Sequence, residues 1–401
     1  PRFLSPASAP SLFTLVCLAA VGALAMNMFL PALPAMAAYF GVSYSVIQFS
    51  VTGFLAMNAI CQIFIGPLSD RYGRRPVVIW SMVLFCLATA GTIMAPTAEI
   101  FLACRLVQAF VVAGLVLSRA AIRDMYDTNK AASMIGYVTM CMAVVPMLGP
   151  MLGGWLQSVS GWVANFWVML AVGLGVLVLV FWDMGETNRT PSASIGAQFR
   201  SYPELFRSRR FWAYCISAGS TVGAYFAYLG GAAFIGNSVF NLTPAVLGLY
   251  FGAPALGYAV GNGLSGALSV RWGIHRMILT GAALSCIGMV FALILVQIPN
   301  GGPLTFFGPI VLVGLGNGMT LPNATSGMMS VRPHLAGSAS GIGGTIMTGG
   351  GAILAGITGS ILTPGMGPEP LIFIMLASSC LPFLCIWYIT RREQVITTPD
   401  V

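Results

Sequence analysis

An all-α membrane protein of twelve transmembrane helices, arranged as two pseudo-symmetric six-helix halves, is what this sequence predicts. Three observations lead there. Of 401 residues, 57% are hydrophobic and 7% are charged, with a mean hydropathy of +0.88; a water-soluble chain of this length has no use for so much apolar surface. Twelve apolar runs each approach the roughly 20 residues that cross hydrocarbon. One short loop motif occurs twice, displaced by 200 residues.

The runs cover 12–37, 45–69, 77–96, 99–122, 131–157, 163–182, 211–234, 244–269, 276–297, 303–330, 336–362 and 370–390. Basic residues decide their orientation. Arg71, Arg74, Arg75, Arg119, Arg123, Lys130, Arg189, Arg200, Arg207, Arg209, Arg210, Arg271, Arg276 and Arg332 all fall at alternate connections, and the opposite connections carry no Lys or Arg. The positive-inside rule then places both termini in the cytoplasm. The longest connection carries five arginines and divides the chain into a first half, 1–182, a cytoplasmic linker, 183–210, and a second half, 211–401. A short amphipathic piece around Ile195–Phe206 is expected to lie on the membrane surface. The sequence begins at Pro1, so no targeting signal is read from its start.

The repeated motif is the densest charge in the chain. Gly66 to Pro76 reads GPLSDRYGRRP, with Asp70 among Arg71, Arg74 and Arg75, and with Gly66 and Gly73 permitting close approach and a sharp reversal. Gly66, Leu68, Ser69, Arg71 and Gly73 recur as Gly266, Leu268, Ser269, Arg271 and Gly273, with Trp272 in place of Tyr72. Asp70 and Arg74 do not recur; Val270 and Ile274 stand there. A half-chain repeat with one degenerate copy is the mark of a transporter built from two halves. Asp70 could hold a neighbouring helix N-terminus, where the dipole favours an anion.

The pattern G-x-L-x-D-R-x-G-R-R resembles the signature loop between helices 2 and 3 of the major facilitator superfamily. That resemblance implies a conformational lock on the cytoplasmic side, made of Gly66, Asp70, Arg71, Gly73, Arg74 and Arg75 together with Arg123 and Asp124. The fifth run, with Gly136, Gly149, Pro150, Gly153 and Gly154, lets another helix pack against bare backbone. It resembles the fifth-helix motif of drug/proton antiporters, with Val145 where the family has a further glycine. FLPALP at Phe29–Pro34, Gln48, Gln62–Val77, Arg105, IRDMY at Ile122–Tyr126 and PHLAGSAS at Pro333–Ser340 together resemble the bicyclomycin and chloramphenicol/florfenicol resistance branch.

Chemistry has few candidate carriers. Arg105 is the basic residue well inside a run, with Gln108 one turn on; such a cation must face a wet cavity, a partner or backbone carbonyls. Asn27 stands where the resembling family has the aspartate that titrates, so it marks the proton-coupling position. An amide cannot release that proton but copies the shape of the protonated acid. Either it replaces an acid, or the native protein is not coupled there. Gln48, Asn58, Gln62, Asn165, Asn262, Asn317 and Asn323 are further polar residues within runs, joined by tyrosines and many methionines, a mixture suited to varied amphipathic ligands. Asn27, Arg105, Gln108, Tyr225, Tyr228 and Asn323 are the expected substrate contacts; each, taken singly, also fits interhelical packing.

Other classes lose support. One lysine and scattered arginines exclude a nucleic-acid surface. Nine separate cysteines form no metal motif, and the two histidines, His275 and His334, are loop residues without a nucleophile or metal set, so no enzyme and no metal site is expected. The expectation is a monomeric exporter of small amphipathic molecules in the lipid of a bacterial inner membrane. It has no cofactor and is driven by the proton gradient. The alternative is an uncoupled facilitator or importer of a small metabolite, anions included.

Overall fold

The computed structural model describes residues 9–126, 134, 138, 145, 148–188, 202–332, 336–363 and 365–397. Among them nine helical stretches are long and apolar enough to span a membrane, and twelve helices follow once three details are resolved. The stretch Pro244–Leu295 contains Gly273 at φ 77°, a non-helical break that makes two spans of it. Arg209–Ser238 is long enough but carries Ser217, Ser220, Thr221 and three tyrosines. The fifth span is described from 148 to 160, with isolated helical residues before it. Gly136 and the middle of the linker, residues 189–201 with Ile195 among them, lie outside the described residues.

The chain forms two compact units, Pro1–Gln198 with Leu242–Gly252, and Phe199–Asn241 with Ala253–Val401. In the first, α1 (Leu12–Asn27) breaks into a 3-10 turn, Leu30–Ala32, and α2 (Leu33–Phe40). Pro31 and Pro34 cause the break, because neither supplies the N–H that would bond the Asn27 and Leu30 carbonyls. There follow α3 (Tyr44–Tyr72), α4 (Arg74–Ile93), α5 (Ala98–Gln108), a 3-10 turn at Ala109–Val111, α6 (Val112–Met125), α7 (148–160) and α8 (Val163–Asp183). Helix α4 lies against α5 and α8, and α1 against α6 and α8. The α1–α6 contact is close because Gly114 faces the Leu18 carbonyl, where a Cβ would collide.

The second unit holds α9 (Tyr202–Phe206), α10 (Arg209–Ser238), α12 (Ala253–Leu295), α13 (Leu304–Ser330), α14 (Ala336–Ile361) and α15 (Glu369–Thr397); α11 (Pro244–Phe251) belongs with the first. Helices α12 and α13 interlock through small residues. Gly257 and Gly261 meet the carbonyls of Val311 and Leu315, while Gly314 and Gly318 meet those of Pro254 and Tyr258. Tyr214, Phe211, Ile278, Met328 and Ile386 close a core where α10, α12, α13 and α15 meet.

The two loop copies share backbone as well as sequence. Gly73 has φ 96° and ψ 155°, and Gly273 has φ 77° and ψ 158°, a region open to glycine almost alone. Gly66 and Gly266 behave differently from expectation. Neither has a neighbour within 4 Å of an added Cβ, so in this conformation they serve no close approach.

Candidate functional site

Arg105 is fully buried, and its surroundings explain how. The guanidinium lies between two rings, 4.4 Å from the Phe29 centroid and 4.6 Å from that of Phe54. Its Nε donates to the Ser50 carbonyl at 3.3 Å, Nη2 to the Ala25 carbonyl at 3.3 Å, and Nη1 to Gln108 Oε1. Gln108 Nε2 then donates to Thr89 Oγ1 at 2.8 Å, and Thr89 to the Phe85 carbonyl at 2.7 Å. One cation therefore joins α5 to α1, α3 and α4 through acceptors alone, with no carboxylate among its partners. The spacing of Arg105 and Gln108 on one face made their pairing legible. Phe54, Ser50 and Thr89 carry no sequence signal that singles them out.

Asn27 sits at the last residue of α1, on the run of chain that brings Ala25 and Phe29 to Arg105. Its Nδ2 donates to the Ala23 carbonyl at 2.7 Å, and its Oδ1 is buried without a donor. In the second unit, Tyr225 and Tyr228 stack with centroids 6.4 Å apart, and Tyr228 packs on Phe306 and Phe307. Asn323 is elsewhere. It donates to Ser265 Oγ and the Met319 carbonyl, both at 2.8 Å, about 24 Å along α13 from Phe307. Arg105 and Gln108 are thus paired and the two tyrosines stacked, while Asn27 bonds the Ala23 carbonyl beside Gly149 and Asn323 joins α13 to α12.

The glycines of α7 divide their work. A Cβ on Gly153 would collide with the Met28 carbonyl, and one on Gly154 with the Pro244 carbonyl. Gly248 in α11 faces the Pro150 carbonyl in the same way. Gly149 has ordinary contacts near 3.8 Å with Asn27 and Met28, so it sets no such limit.

The loop cluster is rearranged relative to the sequence reading. Glu186 occupies the N-terminus of α4, accepting from the Arg74 N–H at 2.8 Å and the Arg75 N–H at 3.1 Å; Asp70 does not. Asp70 instead pairs with Arg74, whose Nε also reaches Asp124 at 3.0 Å. Thr187 donates to Asp124 at 3.1 Å, and Asn188 to the Asp70 carbonyl at 2.9 Å. Arg75 donates to the Phe181 carbonyl at 3.0 Å, while Arg71 and Arg123 are exposed. Glu186, Thr187 and Asn188 were missed as members because 112 residues separate Glu186 from Arg74 in the chain.

Gly73 is placed where a Cβ would strike the Glu186 carboxylate, whereas Gly273 has open space. Gly73→Ala should therefore cost more than Gly273→Ala. Both incur the backbone strain of about 1–3 kcal/mol, but only the first also displaces a helix cap. Melting curves of the two purified variants compare them; equal losses would show that strain alone matters.

Residues 15–356 match the family model described as Major Facilitator Superfamily. The chain is 30% identical over 381 residues to the MFS-type transporter YdgK of Bacillus subtilis (strain 168), covering 92% of this chain and 94% of that protein. It is 28% identical to a chloramphenicol resistance protein of Pseudomonas aeruginosa, covering 85% and 81%. Among solved structures, a bacterial homologue of the human lysosomal transporter Spinster aligns with a TM-score of 0.73 at 15% identity, over 97% of this chain and 98% of that one, which speaks for the fold. The relatives are transporters rather than enzymes, and the family's fold has twelve helices. The chain belongs to the Major Facilitator Superfamily, as a multi-pass membrane transporter of small molecules.

Proposed function

We propose that this transporter exports small amphipathic molecules across a bacterial inner membrane, and that its native form exchanges them for protons. The observation that carries the reading is the likeness, over 85% of the chain, to a protein named for chloramphenicol resistance. The surroundings of Arg105 support it, since a cation walled by Phe29 and Phe54 joins polar and apolar surface in one place. Expression in an efflux-deficient bacterium tests it. The inhibitory concentration of chloramphenicol should rise several-fold, and a protonophore should abolish the gain. No rise for chloramphenicol or related amphipathic drugs would remove the export reading.

Asn27 favours a second reading, an uncoupled facilitator or importer of a small anionic metabolite. A gain in resistance or uptake that survives the protonophore is its signature. Under either reading both termini are cytoplasmic, the protein acts as a monomer within lipid, and no cofactor takes part.

The loop cluster serves as the lock of the cytoplasmic side. Asp70 holds Arg74 there, and a lock of a few kcal/mol suffices to shift populations. Asp70→Asn should leave expression intact and raise the inward-open population. Spin-label distances across the cytoplasmic face read this directly, and an unchanged distribution would withdraw the lock assignment.

A further inference from the structure

Asn165, the third residue of α8, is fully buried, and among the described residues neither Oδ1 nor Nδ2 of its amide has a hydrogen-bond partner. Buried amides are paired as a rule, so one with both ends free asks for an explanation. The surroundings are specific. The Asn165 Oδ1 lies 2.9 Å from where a Gly153 side chain would begin, and the Met28 carbonyl occupies the same point. Gly149, one turn earlier on α7, faces Asn27, whose Oδ1 is a third unpaired buried atom. Beside Asn165, the Phe166 ring packs on Phe29 and Trp162, with centroids 5.8 Å away in each case. Rings lie on one side of the amide and the backbone of α7 and of Met28 on the other, and neither is hydrogen-bonded to it.

We propose that Asn165, with Asn27 Oδ1, forms a polar binding point at the break in the first span, taking a neutral group that both donates and accepts a hydrogen bond. A hydroxyl or amide of the transported molecule has that chemistry, and so has a water molecule. Asn165 Nδ2 donates to the occupant, and Asn165 Oδ1 and Asn27 Oδ1 accept from it. The site deepens the export reading and rests on it only for which of the two occupants is held.

Asn165→Cys and, as a control one turn further on, Met169→Cys are made in a background with the native cysteines replaced. Both parent positions are fully buried. A small water-soluble methanethiosulfonate should label position 165 at least tenfold faster than position 169, because only the first admits polar molecules. Equal rates would overturn the site. Chloramphenicol that slows the labelling identifies the substrate as occupant; where the protein exports chloramphenicol, labelling that the drug leaves unchanged identifies water.

Discussion

Replacing Arg105 with alanine should lower the melting temperature of the detergent-solubilised protein more than any other substitution considered for the first unit. The change removes a fully buried side chain from between Phe29 and Phe54 and takes the donors away from the Ala25 and Ser50 carbonyls and Gln108. Loss of packing alone is worth about 2–5 kcal/mol for a large buried side chain. Leaving Gln108 Oε1 without its donor adds roughly 1–3 kcal/mol, in part recovered by relaxation. Arg105→Met restores volume but no donor, so it should recover only part of the loss. Arg105→Lys keeps one charge without the planar fork and cannot reach three helices at once. Melting curves with and without chloramphenicol separate structure from binding. If Arg105→Ala melts with the parent and loses only the ligand-induced shift, the guanidinium meets the ligand directly and its interhelical bonds are incidental.

Spans were the most legible part of the fold, because length and hydropathy alone set them. The predicted run 45–69 is Tyr44–Tyr72, and 303–330 is Leu304–Ser330. The repeat was legible too, and Gly73 and Gly273 carry it into the backbone. Partner choice was not. Asp70 and Glu186 are both acids near the loop end, and a sequence cannot say which reaches the first turn of α4. The answer depends on where α8 ends relative to α4, a packing property of two helices more than a hundred residues apart. Asn323 shows the same limit. An amide inside a span reads alike whether it meets a ligand or, as here, Ser265. Glycines were legible only as a class. Gly153 and Gly154 lie against carbonyls while Gly66 lies against nothing, and only neighbouring helices make that difference.

Asn27→Asp should turn a pH-indifferent protein into a pH-sensitive one. As it stands, position 27 carries an amide that holds the Ala23 carbonyl through Nδ2 and cannot titrate, so ligand binding should vary little between about pH 5 and 8. The substitution puts a carboxyl where Oδ1 has no protein donor and the side chain is fully buried. A charge without donors there is costly, so the new group stays neutral while the position is closed and ionises when it opens to water. Ligand binding should become linked to proton release, which in an export reading is the coupling itself. Ligand added to weakly buffered protein reads this as a pH change. Asn27→Asp should release protons in proportion to ligand bound, and the parent should release none. Stoichiometric release from the parent would place the titrating group elsewhere, with Asp70 and Asp124 of the loop cluster as the acids to replace next.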